Sequence, residues 1–184
     1  MTERLFVAVV PPAEVLAAWD TFLDPRRDAA TDLRWILPEA WHLTCAFLPA
    51  VPRTRIDALD EALEAVAGRT APFRITVGGA GAFPDPDHAR VLWLGVVEGD
   101  GELCRLALRC RNAAASTGAG VDGAKFRPHV SLARAPRISA ARWLGVLEAI
   151  EPQTWLASGF DLIRSRGLPG GAGYQTLSHY SLVG

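Results

Sequence analysis

The chain has 184 residues, of which 49% are hydrophobic and 21% are charged, and its formal net charge is −1. These values are typical of a globular protein and exclude a disordered or fibrous chain. They also exclude a general positive field that would attract nucleic acid, so any polyanion must bind to a local patch of positive charge.

Arginine would supply such a patch, because 18 of the 19 basic residues are arginine and the other is Lys125. A guanidinium is planar and always charged, and it can bind two oxygens of a phosphate at once. A high ratio of arginine to lysine can also reflect nothing more than genomic base composition. Only arginines beside other candidate functional residues are therefore considered for a phosphate site.

The first half of the chain predicts strands and helices in alternation. Residues 11–14 contain two prolines and a glutamate, which suit the opening of a helix that continues over 15–22. Apolar residues at helical spacing predict a second helix over 54–66, which ends at Gly68. Strands are predicted at 4–10, 33–37 and 41–48.

The second half continues with two more helices, over 101–117 and 139–150, the latter with Ser139 as its N-cap. Residues 78–90, rich in glycine, proline and aspartate, predict a loop, and 167–173 predict another. Strands are predicted at 73–77, 91–97, 129–133, 155–163 and 174–182.

This order favours an α+β fold, because it lacks the strict βαβ alternation of a nucleotide-binding fold. No low-complexity linker divides the chain. We therefore expect residues 1–184 to form a single two-lobed domain with its functional site where the lobes meet.

Two short segments, 42–45 and 129–132, have the sequences HLTC and HVSL. Side chains alternate between the faces of a strand, so His42 and Thr44 would share one face while their apolar neighbours enter the core. His129 and Ser131 would be arranged in the same way. Two histidines with two hydroxyls in one cleft are suited to acid–base chemistry on a phosphodiester.

A third histidine, His179, also has a hydroxyl residue two positions later. We rank His129 above it because Arg127 and Arg134 flank His129 and could neutralise a phosphate, whereas no basic residue lies within ten positions of His179. His88, in a segment rich in aspartate and proline, is predicted to be an exposed loop residue.

The three cysteines, Cys45, Cys104 and Cys110, lack the CxxC spacing of a zinc or redox site and are predicted to be buried free thiols. Cys45 would point away from the histidines, which argues against a zinc site. The apolar run 5–10 is too short for a signal peptide, and no segment is long enough to span a membrane. We expect a cytoplasmic protein.

Several segments together resemble one family, the 2H phosphoesterases, and within it the bacterial and archaeal RNA 2′,3′-cyclic phosphodiesterases, once called 2′-5′ RNA ligases. The resemblance extends over nearly the whole chain and depends on an ordered series of motifs. These are RLFVA at 4–8, RW at 34–35, WHLT at 41–44, GAFP at 81–84, VLWL at 91–94, RPHVSLAR at 127–134 and LIRS at 162–165, followed by Tyr174.

The resemblance implies a pseudo-twofold fold in which antiparallel sheets line a central cleft and helices lie outside. It also implies hydrolysis of a terminal RNA 2′,3′-cyclic phosphate to a 2′-phosphomonoester without metal or other cofactor. RNA ends carrying that group would be the partner of a monomeric protein.

The resemblance assigns His42 as the proton donor and His129 as the proton acceptor, a choice that geometry alone leaves open. Thr44 and Ser131 would hold the non-bridging oxygens of the phosphate. Arg127 and Arg134 would bind the same anion or the RNA backbone. Two departures from the family pattern, Ser131 for threonine and Cys45 for leucine, preserve the hydroxyl donor and the buried position.

Three alternatives remain at this point. Both histidines could be satisfied core residues, although two with matched hydroxyls make this reading weaker. The chain could bind RNA ends without turnover. It could also be a related cyclic-nucleotide phosphodiesterase or a 2′-5′ RNA ligase.

Overall fold

The computed structural model describes residues 1–30, 32–123, 125–167 and 173–184. Within these ranges the helices are α1 (Ala13–Arg27), α2 (Ile56–Ala67), α3 (Asp100–Ser116) and α4 (Ala141–Leu147). The strands are β1 (Thr2–Val9), β2 (Arg34–Trp35), β3 (Leu43–Pro52), β4 (Phe73–Phe83), β5 (Ala89–Glu98), β6 (His129–Ile138), β7 (Gln153–Ala157), β8 (Gly159–Ser165) and β9 (Tyr174–Ser181).

The strands form one antiparallel sheet in the order β7-β4-β5-β6-β3-β1-β8-β9, and β2 pairs with β6. Two four-stranded halves, β6-β5-β4-β7 and β3-β1-β8-β9, extend outward from the junction of β6 with β3. At that junction a single residue pair, Leu43 with Val130, is registered. The α+β, two-lobed prediction is confirmed.

One face of this sheet forms the core and the other lines the cleft. On β1, Leu5 and Val7 are fully buried in the main core, whereas Phe6 and Ala8 form a small separate cluster with Ile163 on the other face. The helices cover the core face, because apolar residues spaced three or four apart give each a buried stripe. In α2 this stripe includes Leu59 and Leu63, and in α3 it includes Leu103 and Leu106.

The predicted loop at 78–90 is wrong, because β4 continues to Phe83 and leaves only a short connection to β5. Gly81 pairs with Trp93 across the ladder, and a Cβ at Gly81 would lie 2.0 Å from the Trp93 ring. Glycine here therefore makes room for an indole on the neighbouring strand. In the connection, Asp85 accepts hydrogen bonds from two backbone N–H groups, and His88 is half-exposed as predicted.

Two predicted boundaries in the second half are also wrong. Helix α4 begins at Ala141 with Ala140 at the N-cap position, and no side chain caps it, so Ser139 does not have the predicted role. The predicted strand at 155–163 is two strands, because β7 pairs with β4 whereas β8 pairs with β1 and β9. The predicted loop at 167–173 lies largely outside the described residues, in 168–172.

Cys45 and Cys110 are buried free thiols, as predicted, but Cys104 is partly exposed. Burial raises the pKa of the Cys45 thiol to about 12. In the portion of the chain that the structure describes, no helix is both long enough and apolar enough to cross a lipid bilayer.

Candidate active site

The junction of β3 with β6 places the two histidine motifs opposite each other. Leu43 and Val130 form the bridging pair and are fully buried, so their neighbours in sequence point to the cleft face. Because the strands are antiparallel, the residue before one bridging position faces the residue after the other. Each motif's histidine therefore lies across the junction from the other motif's hydroxyl residue.

The four motif side chains line a common cavity of about 210 Å³. His42, Thr44, His129 and Ser131 are each partly exposed, so solvent or a ligand can reach them. The other lining residues are Arg4, Phe6, Ile36, Ala40, Phe47, Arg134, Ser165 and Tyr174. The structure thus brings together both predicted histidines, both predicted hydroxyls and one of the two predicted arginines.

His42 is fixed by a hydrogen bond and by two aromatic rings. Its Nδ1 lies 2.7 Å from the carbonyl oxygen of Ala40, two residues earlier in the chain. Its ring stacks on Phe6 with 4.6 Å between centroids, and the edge of Tyr174 approaches to 5.6 Å. These contacts position the imidazole, and among the described residues its other nitrogen has no hydrogen-bond partner.

His129 is held in the same way from the other lobe. Its Nδ1 lies 2.7 Å from the carbonyl oxygen of Arg127, again two residues earlier. Phe83 meets the ring edge to face at 4.8 Å, and Trp93 lies 6.1 Å away. The two histidines are therefore positioned by equivalent backbone hydrogen bonds and by separate aromatic pairs.

These hydrogen bonds fix the tautomer of each imidazole. A carbonyl oxygen can only accept, so Nδ1 must be the protonated nitrogen in both rings. Nε2 of His42 and Nε2 of His129 are then the atoms that can take up or give a proton. Two such nitrogens in one cavity are the minimum set for concerted acid–base chemistry.

The surroundings favour the neutral form of both rings. Desolvation lowers the pKa of His42 to about 4, partly opposed by the Ala40 carbonyl, and the charge of a protonated His129 lowers it further. Desolvation also lowers the pKa of His129, partly opposed by its carbonyl partner, and the Arg127 guanidinium adds to the lowering. At neutral pH both imidazoles are therefore mainly uncharged when no anion is bound.

The arginines are arranged differently from the sequence expectation. Arg134 lines the cavity, but Arg127 does not, because its guanidinium lies over Trp93 at 4.7 Å and over Phe83 at 5.4 Å. Arg4 lines the cavity instead, with its guanidinium 4.9 Å from the Phe47 ring centroid. Arg4 and Arg134 thus supply positive charge from opposite lobes.

Sequence reasoning did not identify Arg4, Phe6, Tyr174 or Ser165 as site residues. The signal for the first two was present in the alternation of β1, where Arg4 and Phe6 share the face opposite to the buried Leu5. That signal required knowing that β1 pairs with β3, which local pattern does not reveal.

The third histidine, His179, lies on β9 and is not among the cavity's lining residues. Its Nδ1 is 2.6 Å from Asp161 Oδ1, and its side chain is largely exposed. The described lining of the cavity contains no carboxylate and no thiol. Elsewhere in the described ranges, no group of three or more His, Cys, Asp and Glu residues is placed to hold a metal ion.

A family model described as the 2′-5′ RNA ligase superfamily matches residues 12–168. The chain belongs to this superfamily. The family predicted from the motifs is therefore confirmed.

Relatives in the superfamily match the chain over different lengths. The chain is 33% identical over 190 residues to a Thermus thermophilus protein named RNA 2′,3′-cyclic phosphodiesterase, covering 98% of this chain and 91% of that one. It is also 33% identical over 129 residues to a protein of the same name from Geobacillus stearothermophilus, covering 70% of this chain and 41% of that one. The chain spans between 41% and 62% of the length of three of the curated relatives it matches.

A solved structure from the superfamily has the same fold over the whole chain. The crystal structure of Escherichia coli LigT complexed with 3′-AMP matches with a TM-score of 0.75 and 26% identity. The alignment covers 100% of both chains.

Proposed function

We propose that this protein hydrolyses the 2′,3′-cyclic phosphate at an RNA end to a 2′-phosphomonoester. One observation carries the proposal: two histidines line one cavity, each with Nδ1 bound to a backbone carbonyl and no partner for Nε2 among the described residues. The names of the Thermus and Geobacillus relatives, both RNA 2′,3′-cyclic phosphodiesterases, support it. So does the 3′-AMP complex of the E. coli structure, because that ligand is a ribonucleotide phosphate.

The reaction divides between the two imidazoles. Nε2 of His129 takes a proton from water as the water oxygen bonds to phosphorus, and the bond from phosphorus to the 3′ oxygen breaks. Nε2 of His42 donates its proton to that 3′ oxygen, which leaves as a hydroxyl. The product carries a 2′-phosphate, and the protons balance because one imidazole gains what the other loses.

The hydroxyls and arginines stabilise the negative charge that grows on the phosphate oxygens. The Thr44 and Ser131 hydroxyls donate hydrogen bonds to the non-bridging oxygens, whose negative charge increases in the transition state. Arg4 and Arg134 lie at the same cavity with their guanidiniums exposed. Arg127 acts through His129, because its carbonyl holds the ring.

Binding of the phosphate also prepares the acid. With a pKa of about 4, His42 is protonated in only about one molecule in a thousand at pH 7 before substrate binds. A negative phosphate beside Nε2 favours the charged imidazole and raises the pKa. The bound substrate thus stabilises the protonated form of His42.

We also propose that the reaction requires no metal ion. The polar groups in the described lining of the cavity are imidazoles, hydroxyls and guanidiniums, and the guanidiniums already neutralise the charge of a phosphate. This part of the proposal is tested separately, by activity in excess EDTA.

The test is turnover of a short RNA ending in a 2′,3′-cyclic phosphate, with and without excess EDTA, with identification of the product isomer. We expect the wild type and His179→Ala to form the 2′-phosphate, and His42→Ala and His129→Ala to lose at least about 100-fold in kcat. His179 is a matched control, since it is a strand histidine that also has a hydroxyl residue two positions later.

A substrate with sulfur in place of the 3′ oxygen separates the two roles. A thiolate leaves without a proton, so His42→Ala should recover activity on it and His129→Ala should not. Recovery of His129→Ala alone would reverse the assignment. If the wild type binds the RNA end but never turns it over, the chain is a recognition module and the hydrolytic proposal is wrong.

A further inference from the structure

A second cavity of about 300 Å³ opens beside the catalytic one, at the end of the sheet where β1 begins. Arg4 and Ser165 line both cavities, so the two are adjacent. The second cavity is also lined by Arg53, Arg164 and Arg166. We call the site formed by these three arginines and Arg4 the arginine pocket. A ligand that occupies the catalytic cavity can therefore extend into this pocket.

The arginine pocket has an excess of positive charge. Glu3 is the carboxylate in its lining and its side chain is 8% exposed. One Glu3 oxygen receives Arg53 Nε at 2.8 Å, and the other is paired with Arg164. Four guanidiniums around one carboxylate leave a net charge of +3.

Two of the four arginines have no carboxylate partner in the described parts of the chain, namely Arg4 and Arg166. The Arg166 side chain is exposed and contacts only the side-chain oxygen of Gln175 at 3.5 Å. Arg4 is held over Phe47, at the boundary between the two cavities. Both guanidiniums can therefore bind an anion without first breaking an ion pair.

The fold places these side chains close together although they are far apart in sequence. β1 lies between β3 and β8, and neighbouring strands are about 4.8 Å apart. Arg53 follows the end of β3 directly, while Arg164 lies near the end of β8 opposite Leu5 of β1. Glu3 orders two guanidiniums at this edge of the sheet. Less side-chain conformational entropy is therefore lost when a ligand binds there.

We infer that the arginine pocket binds the phosphodiester next to the reacting one, on the 5′ oxygen of the terminal nucleoside. The inference rests on the proposed function, because it assumes that the cyclic phosphate occupies the histidine cavity. In a chain that ends in a cyclic phosphate, this 5′ phosphodiester is the nearest other negative charge. Guanidinium groups recognise its oxygens in pairs.

The protein would then select an oligonucleotide end over a free nucleoside 2′,3′-cyclic phosphate, which lacks the 5′ phosphodiester. The selection depends on charge and not on the base, since the pocket is lined by guanidiniums. It also gives a reason why a chain of net charge −1 can act on a polyanion. The positive charge is concentrated where the substrate backbone leaves the catalytic cavity.

The test compares two dinucleotides that both end in a 2′,3′-cyclic phosphate. In one the linkage is a phosphodiester, and in the other it is an uncharged methylphosphonate. We expect kcat/KM of the wild type to be about tenfold higher for the charged linkage, the effect of a charge-assisted contact in a partly exposed site. In the double variant Arg53→Gln/Arg166→Gln this ratio should fall toward one, although Arg4 and Arg164 remain in the pocket.

Arg105→Gln is the matched control. Arg105 on α3 is 63% exposed and pairs with one glutamate, as Arg53 does, but it lies outside both cavities. Its ratio should equal that of the wild type. Circular dichroism of each variant establishes that the fold is retained.

A wild-type ratio near one, or a ratio unchanged in the double variant, would overturn the inference while leaving the hydrolytic proposal intact. If the wild type hydrolyses neither dinucleotide, the hydrolytic proposal fails instead. In that case the subsite is tested by binding: the affinity for the 2′-phosphate product with the charged linkage is compared with the affinity for the product with the methylphosphonate linkage. Equal binding of charged and neutral products would refute it.

Discussion

The most informative single residue is His42, whose pKa is lowered to about 4 because the surrounding protein partly desolvates the imidazole. In the unfolded chain the pKa of His42 is near 6.5. Between pH 6.5 and pH 4 the unfolded state therefore binds a proton at this residue that the folded state does not bind. The contribution of His42 to stability is therefore present above pH 6.5 and is lost as the pH falls toward 4.

We predict that the wild type loses about 2 to 3 kcal/mol more unfolding free energy than His42→Gln when the pH is lowered from 7.5 to 4.5. Glutamine has no proton to take up in this range, so the variant lacks this term. Urea unfolding of both proteins at both pH values measures the difference. Equal losses would show that folding does not perturb the His42 imidazole.

The hydroxyls of Thr44 and Ser131 should act mainly in the transition state, where charge on the non-bridging oxygens is largest. We predict that Thr44→Val and Ser131→Ala each lower kcat about 100-fold and change KM little. Thr21→Val, at an exposed position of α1, is the control and should leave both constants unchanged. An increase in KM with constant kcat would instead indicate simple substrate binding.

At this scale the sequence predicted which histidines and hydroxyls line the cavity, from strand alternation together with the arginines that flank His129. Of the two arginines that it predicted, Arg134 lines the cavity and Arg127 does not. Arg127 is close to His129 in sequence, yet its side chain turns onto Trp93 and Phe83. Arg4 is remote in sequence and reaches the site only because β1 pairs with β3. A long side chain is located by tertiary packing, which local pattern does not contain.

Among the elements, β4 departs most from the sequence expectation. Glycines usually weaken a strand, which is why residues 78–90 read as a loop. In the structure Gly81 lies directly under the indole of Trp93, and that indole in turn lies against Arg127 and near His129. The glycine therefore has a packing role, which becomes visible only once β4 and β5 are paired.

We predict that Gly81→Ala displaces Trp93 and disturbs the support of His129. The added methyl would lie 2.0 Å from the ring, in a site closed by sheet pairing. The expected cost is about 1–3 kcal/mol of unfolding free energy and about a tenfold loss of kcat/KM. Urea unfolding and turnover of the cyclic phosphate measure the two effects.

Gly145→Ala is the control for this substitution. Gly145 is exposed on α4 and a Cβ there meets nothing within 4 Å. Because alanine favours a helix, this variant should gain about 0.5–1 kcal/mol and keep full activity. If Gly81→Ala were equally harmless, the indole would not be the support for His129 that the packing indicates.

For the whole molecule, the two lobes share little strand pairing at their junction but share an extensive hydrophobic core. Only Leu43 with Val130 is registered between β3 and β6. Beneath the sheet, Trp19 of α1 contacts Trp41 beside β3 and Trp155 of β7, with ring centroids 6.1 and 6.3 Å away. One continuous cluster of buried residues includes members from both lobes. Three statements about the chain stay predictions: that it is one domain, that it is a monomer and that it is cytoplasmic.

We predict that the two lobes unfold together, because neither can keep its half of this core alone. Leu43→Ala, at the bridging pair, should cost about 2–5 kcal/mol. Tryptophan fluorescence and far-UV circular dichroism should then show the same shifted urea midpoint. Leu108→Ala, at a leucine 58% exposed on α3, should change the midpoint little. Separate urea midpoints for the two signals would mean that the lobes unfold as independent units. Leu43→Ala would then abolish activity only by disrupting the cavity between the lobes.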